Sequence, residues 1–401
     1  MKIPQLKNNT NSYLNTLIAI VILTIPFYAQ RIPLINTSLS ILTLGMLLLS
    51  VMLFIFYHKS IITILKKEFL LWLFALLFVV SLIPSLVLYP TIHSGGVFLE
   101  WILFPALTSF LLYTYTRTSS HAFITIQNTL TLTLFIISII SIIYFILDIK
   151  TFDGRLSAFY PSPNHLALFI APLIPITIAQ FLTSKHTLFK ALSILTLLLS
   201  TLVLFFTNSF ISSVSVIVTL IFITFVHTKK KRLFILPLLL FFILISVVGF
   251  HKITSIELNP THNPFFSRTE IWTVATHHIQ NNPLLSTGPI DTFQQVYLEA
   301  QPLYTPYNTW SSPTPHNLIL TLWISGGFFT VLFFCLLCSR WLYLTFNSYK
   351  KTKNATILLY TAAFLTILLT SLFDTPFWKN DLSFLFWIII IFGMHQTFEQ
   401  I

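Results

Sequence analysis

Charge is scarce in this sequence. Only 8% of its 401 residues are Asp, Glu, Lys or Arg, whereas a soluble domain carries roughly a quarter. With a mean hydropathy of +0.85, this excludes an ordinary soluble fold and points to an all-α polytopic membrane protein. Cysteine is scarcer still. Cys335 and Cys338 form a C-x-x-C inside an apolar run, a setting for packing, since a redox or metal thiolate needs polar surroundings. No disulfide framework follows from them. None of Asp148, Asp153, Glu257, Asp291, Glu299, Asp374 and Asp381 pairs as Asp-x-Asp, and a hard cation bridging phosphates needs clustered oxygen ligands. His251, His262, His277 and His278 lack ligand-like spacing, so neither a metal nor a cofactor is expected. No small-residue cleavage site follows the first apolar run, so a cleavable signal peptide is not expected. Internal repeats, low-complexity tracts and a soluble domain are also missing.

Phe, Leu and Ile are abundant instead. They fall in twelve apolar runs, near 13–30, 34–57, 69–89, 97–116, 122–147, 164–183, 188–207, 209–227, 232–250, 316–345, 354–373 and 381–398. Each is about the 20 residues a membrane helix needs. The whole chain, 1–401, therefore reads as one integral membrane domain with about twelve transmembrane helices. The net charge of +11 is a topology signal. With the N-terminus inside, only Arg31, Lys150, Arg155, Lys252, Arg268 and Lys379 of the 22 basic residues fall outside. The positive-inside bias then puts both termini in the cytoplasm. Membrane lipid is the expected surrounding, and nucleic acid is not an expected partner.

Two outer connections are long, 148–163 and 251–315, the second lying between runs nine and ten. Long loops in compact proteins are usually functional or disordered, and Phe265, Phe266, Trp272 and Trp310 argue against disorder. Within the larger loop, "SRTEIWTVATHHIQNNPLLSTG" reads as a short interfacial helix. Ser267 and Glu270 suggest a capping box, with Arg268 in the first turn and Trp272, Ala275 and Ile279 on one apolar stripe. Asn164, following Pro163, suggests the N-cap of the sixth run, with Arg155 upstream. Thr314 and Pro315 suggest the start of the tenth, placing His316 in its first turn. Helix starts carry free N–H groups and partial positive charge, and arginine adds a bidentate donor. Three such starts facing one compartment suit a pyrophosphate with a proton acceptor nearby. A plainer reading pairs Arg155 with Asp153, Arg268 with Glu270 and His316 with a carbonyl. In it Lys252 is a helix-end charge. Asp374 either orients His316 or binds Lys379.

The residues resemble a known family. "HNLILTLWISGGFFT" is similar to the O-antigen ligase signature through His316, Asn317, Gly327 and Thr330. "GRLSAFYPSPNHLA" resembles that family's Arg…Pro-Asn-x-x-Ala element through Arg155, Pro163, Asn164 and Ala167. "RTEIWTVATHHIQNNPLLSTG" resembles its Arg-x-x-x-Trp-x-x-Ala…Pro-Leu…Gly element through Arg268, Trp272, Ala275, Pro283, Leu284 and Gly288. Pro289 after Gly288 departs from the family's glycine-x-glycine. The superfamily also holds O-antigen polymerases and bacterial O-oligosaccharyltransferases. The short chain and the nine residues between Asn317 and Gly327 favour the ligase. The resemblance implies a glycosyltransferase at the outer face of a bacterial inner membrane. Its implied donor is an undecaprenyl-diphosphate-linked glycan and its implied acceptor is lipid A–core. Under it, His316 is the expected base, and Arg155 and Arg268 stabilise the departing diphosphate without a metal. Asn164, Trp272, Asn317 and Asp374 are expected to bind substrate. A transporter for the same lipid would place charges within helices along a path, and here almost every charge sits at a helix end. A purely structural membrane protein leaves the three helix starts unexplained.

Overall fold

A computed structural model describes residues 3–33, 38–228, 264–300 and 311–398. The ninth apolar run, 232–250, lies outside the described residues, as do Lys252, His251, His262 and Trp310.

The described chain is helical apart from one small hairpin. Helix α1 (Ile3–Leu23) ends in a short 3-10 turn, and strands β1 (Arg31–Pro33) and β2 (Ser38–Ser40) pair antiparallel with Arg31 opposite Ser40. Then come α2 (Ile41–Lys67), α3 (Phe69–Val80), α4 (Ile83–Leu88) and α5 (Ile92–Val97). A π-helical turn, Phe98–Leu103, joins α5 to α6 (Phe104–Thr116). Helices α7 (Ser120–Ile146), α8 (Pro163–Thr183), α9 (Thr187–Phe206) and α10 (Phe210–His227) follow. Beyond the undescribed stretch are α11 (Pro264–Asn281), α12 (Phe293–Ala300), α13 (Leu318–Gly326), α14 (Phe328–Thr352), α15 (Ala355–Thr370) and α16 (Asn380–Phe398).

Among the described residues, eight helical stretches are long and apolar enough to cross a membrane, and Asn11–Leu23, Ala355–Thr370 and Asn380–His395 are shorter apolar helices. This is an all-α polytopic membrane protein. Helices α8, α15 and α16 form the centre, with α8 packed on α9 and α15, and α16 on α6 and α15. Nearly every residue of α16 from Leu382 to Met394 is buried, while α9 leaves Leu188, Leu198 and Phe205 exposed. In water such a surface would be an aggregation hazard. In a bilayer it is the lipid face.

One end of the bundle gathers the functional-looking loops. Leu156 N–H donates to Phe206 O (3.1 Å) and Leu318 N–H to Ser371 O (2.8 Å). Ser85 Oγ donates to Gly288 O (2.9 Å) and Asn380 Nδ2 to Ser40 Oγ (3.0 Å).

Several boundaries differ from the sequence reading, each for a local reason. The second run begins later, at Ile41, because Ser40 caps that helix by accepting from Thr43 N–H and Arg31–Pro33 and Ser38–Ser40 are spent on paired strands. The cap of α8 is Ser162, which accepts from His165 N–H, so Asn164 lies inside the first turn. The cap of α13 is Asn317, whose Oδ1 accepts from Leu320 N–H at 3.1 Å; Thr314 and Pro315 lie outside the helix. Helix α11 starts at Pro264, so Arg268 sits a turn further in, and Glu270 accepts from Tyr297 Oη (2.7 Å) of α12. Helix α12 itself was not expected.

The largest difference is a break in the tenth run. At Gly327, φ is +79°, a region open to glycine and strained for other residues. A Cβ there would collide with the backbone of Leu284 and Leu285. The run therefore splits into a short α13 and a membrane-length α14, and the Pro283–Leu285 segment fits against the break. Trp323 Nε1 donates to Pro283 O (2.7 Å) and Thr287 N–H to Ile324 O (3.2 Å). Below the break, Thr330 Oγ1 shares a 2.9 Å hydrogen bond with Ser81 Oγ at the end of α3.

Gly327→Ala should therefore destabilise the detergent-purified protein by about 2 kcal/mol or more, combining backbone strain with a steric clash. Gly96→Ala, where an added Cβ meets nothing within 4 Å, should be neutral or mildly stabilising. Thermal unfolding of the two variants checks this; equal midpoints would refute it.

Candidate active site

Three distant pieces of chain meet at one carboxylate. Asp374 lies in the connection between α15 and α16, its side chain 14% exposed. His316 Nδ1 is 3.4 Å from its Oδ1, Asn164 Nδ2 donates to its Oδ2 at 3.4 Å, and Thr375 N–H donates to Oδ1 at 2.9 Å. Arg155 Nη1 in turn donates to Asn164 Oδ1 (3.3 Å), while its Nε donates to Asp153 (2.6 Å). Arg268 on α11 adds its charge to the same carboxylate. Burial alone would push the Asp374 carboxyl up. The His316 hydrogen bond and charge, the Thr375 N–H and Arg268 outweigh it, so it lies below the usual carboxylate range. Burial lowers the Arg268 guanidinium, and Asp374 opposes that shift.

His316 is held in an unusual backbone state. Its φ is +48°, left-handed, where histidine is tolerated better than most residues but still at a cost. The turn is fixed from both sides. Trp272 Nε1 donates to Pro315 O (2.9 Å), with its ring centroid 6.1 Å from that of Phe373, and Asn317 Nδ2 donates to Leu372 O (3.1 Å). With Nδ1 engaged by Asp374, Nε2 is the ring nitrogen left for another proton.

The signature residues thus divide by task. Asn317 caps α13, Gly327 breaks the run, Thr330 ties α14 to α3, and Ala167 and Ala275 are fully buried packing positions. Trp272 braces the His316 turn. His316, Asp374 and Asn164 face a cleft of about 650 Å³. Arg155 and Arg268 are not among its lining residues; they are linked to it through Asn164 and Asp374 respectively.

The same cleft holds residues the sequence reading did not single out as a site. Arg31 Nη2 pairs with Glu100 Oε1 at 2.8 Å. His165 Nε2 is 2.8 Å from Asp381 Oδ2, both buried, and His165 Nδ1 meets Tyr28 Oη at 3.2 Å. Lys379 Nζ lies 5.9 Å from the Tyr28 ring centre. Trp378 Nε1 donates to Asp291 Oδ1 (3.2 Å). The carboxyl of Asp291 is pushed up by burial against the pull of Trp378 and His93. Arg31, Lys379, Asp291 and Asp381 stood out in sequence only as charges. Nothing in the sequence ties His165 to Asp381, 216 positions away.

The depressed Asp374 carboxyl makes a signed prediction. Its contribution to stability is full above the ordinary carboxylate pKa near 4 and is lost as pH falls through its lower folded value. The stability gap between the native protein and Asp374→Asn should therefore shrink as pH drops below about 4. Unfolding midpoints that keep a constant gap down to pH 3 would contradict this.

Comparison with known proteins adds an independent line. No curated protein matches the chain. Residues 195–335 match the family profile described as O-antigen ligase. That span holds Arg268, Trp272, His316, Asn317, Gly327 and Thr330, and leaves Arg155, Asn164 and Asp374 outside it. Over this segment, about a third of its length, the chain is similar to the O-antigen ligase family.

Proposed function

We propose that this protein is an O-antigen ligase, transferring a finished glycan from undecaprenyl diphosphate to a sugar hydroxyl of lipid A–core. The observation that carries the reading is convergence. Arg155–Asn164, Arg268 and His316–Asp374 come from separate stretches of chain and connect at Asp374, which lines the cleft, and the family match covers the last two stretches in part.

In the proposed step His316 Nε2 takes the proton of the acceptor hydroxyl, whose oxygen bonds to the anomeric carbon. The bond from that carbon to the diphosphate oxygen breaks, and its electron pair leaves with the diphosphate. Displacement in one step inverts the anomeric centre. Asp374 holds the imidazole in the required tautomer and steadies it once protonated. Arg155 and Arg268 meet the growing negative charge. No metal is invoked. The carboxylates lining the cleft already have partners, Glu100 with Arg31, Asp374 with His316, and Asp291 with Trp378. In this reading the site end of the bundle faces the periplasm and both termini face the cytoplasm. The basic residues support this, since Lys66, Lys67, Arg117, Lys185, Lys350 and Lys351 all sit at the other end.

Variants separate chemistry from scaffold. His316→Ala and His316→Gly should both abolish transfer, and the glycine variant should fold at least as well because φ +48° costs glycine nothing. Asn317→Ala should retain transfer but lose about 1 kcal/mol of stability with its helix cap. Arg155→Lys and Arg268→Lys keep charge but lose the planar fork, and each should cost on the order of 3 kcal/mol, roughly a hundredfold in rate. Full transfer by His316→Gly would remove the base assignment.

The family's activities differ in what accumulates without the protein. A strain lacking it should make lipid A–core without O-antigen while long polymer builds up on the polyprenyl carrier. Core bearing one repeat unit would indicate a polymerase. Unchanged lipopolysaccharide with unglycosylated protein would indicate an oligosaccharyltransferase. A lipopolysaccharide gel beside a blot for carrier-linked polymer reads all three.

A further inference from the structure

Part of the cleft lining has no role in the proposed step. This part carries a backbone irregularity. Within the long membrane helix spanning Ile92–Thr116, Phe98–Leu103 is π-helical. A π turn is wider and rarer than an α turn, and it persists mostly where function keeps it. This one carries Glu100 and Trp101, and both line the cleft.

Glu100 is an acidic group in a membrane span, 4% exposed, a position kept for function and matched to a named partner. That partner is Arg31 at 2.8 Å, on the hairpin, whose Nε and Nη2 also bond Ser38. The Trp101 ring stands 6.3 Å from Trp378 at 83°, and Trp378 is fixed by Asp291. Tyr28 lines the same cleft, bonded to His165 of the His165–Asp381 pair. Aromatic faces beside charged hydrogen-bonding groups suit a sugar ring, with apolar C–H faces and equatorial hydroxyls. A phosphate suits this end poorly, because Glu100 already neutralises Arg31.

We propose that the cleft end formed by Glu100 and Trp101 of the π-helical turn, Arg31 of the hairpin and Trp378 holds the acceptor sugar whose hydroxyl attacks. This rests on the transferase reading above. The assignment to acceptor comes from charge. Arg155 bonds Asn164 and Arg268 acts on Asp374, so the proposed step puts the diphosphate at those two residues, whereas Arg31 is already paired with Glu100. The attacking hydroxyl belongs to a second, uncharged ring, and the Glu100–Trp101 part of the lining is left for it.

The test uses full-length protein in detergent with two probes, lipid A–core from a strain lacking this protein and undecaprenyl diphosphate. Trp101→Ala and Glu100→Gln should each weaken core binding, and raise the acceptor KM, by about tenfold or more. Undecaprenyl diphosphate binding and kcat at saturating acceptor should stay near native values. Trp101→Phe should restore most of the affinity, which a merely misfolded variant would not allow. Arg155→Lys should show the reverse pattern. Weakened diphosphate binding with unchanged core binding in Trp101→Ala would overturn the proposal, as would no change in either. Native protein that binds core through Trp101 yet transfers nothing would keep the subsite and remove the transferase reading instead.

Discussion

The candidate site depends on the surroundings of one carboxylate. Asp374 sits between two central helices and accepts hydrogen bonds from the α8 start and its own connection, with His316 at its Oδ1. A buried carboxylate costs free energy unless its charge is met, and here several groups meet it. Each belongs to a different element, so satisfying Asp374 fixes where those elements stand relative to one another. The arginines are linked to it less directly. Arg155 is held by Asp153 and bonds Asn164, and Arg268 acts on the carboxylate through its charge. Remove the carboxylate and the imidazole and the Asn164 amide lose the group they share.

Irregular backbone is costly in a membrane protein, because lipid satisfies no N–H or C=O. This chain concentrates its irregularity at the site end. The Gly327 break, the left-handed His316 and the π turn at Phe98–Leu103 all lie there. Protein covers the break. The 283–288 segment supplies hydrogen bonds to and from α13, and Ser85 on α4 reaches across to Gly288. The short α13 is thus a half-helix docked against a loop, ending at a glycine no other residue could replace without clash. A continuous helix from Leu318 to Thr352 would deny the Pro283–Leu285 segment its seat and move the turn that carries His316.

Apolar runs were legible in the sequence because length and hydropathy alone decide them. The residues linked to Asp374, directly or through Asn164, were legible too, since Arg155, Asn164, Arg268 and His316 carry motif spacing. The caps were not. Asn164 and Thr314 are reasonable caps by residue type, but Ser162 and Asn317 win because their side chains reach the right N–H groups once the tertiary fold sets the backbone. The Ser267–Glu270 capping box failed for a similar reason: Glu270 is held by Tyr297 on a helix the sequence did not announce. Glu100 and Trp101 were hidden by periodicity, since a π turn shifts which residues share a face and a 3.6-residue reading cannot find it. His165–Asp381 was hidden by distance along the chain.

A motif therefore mixes two kinds of constraint, and the structure separates them. In the signature from His316 to Thr330, three of the four defining positions hold the backbone and one faces the cleft. In the Arg268 element, Trp272 braces the His316 turn, Ala275 packs, and only the arginine carries charge to the site. In the proposed reading such motifs specify how a base and two cations are presented to a diphosphate, a requirement common to ligases, polymerases and oligosaccharyltransferases. They say little about what attacks. On that reading the choice falls to parts of the cleft the motifs leave out, the hairpin, the π turn and the α15–α16 connection.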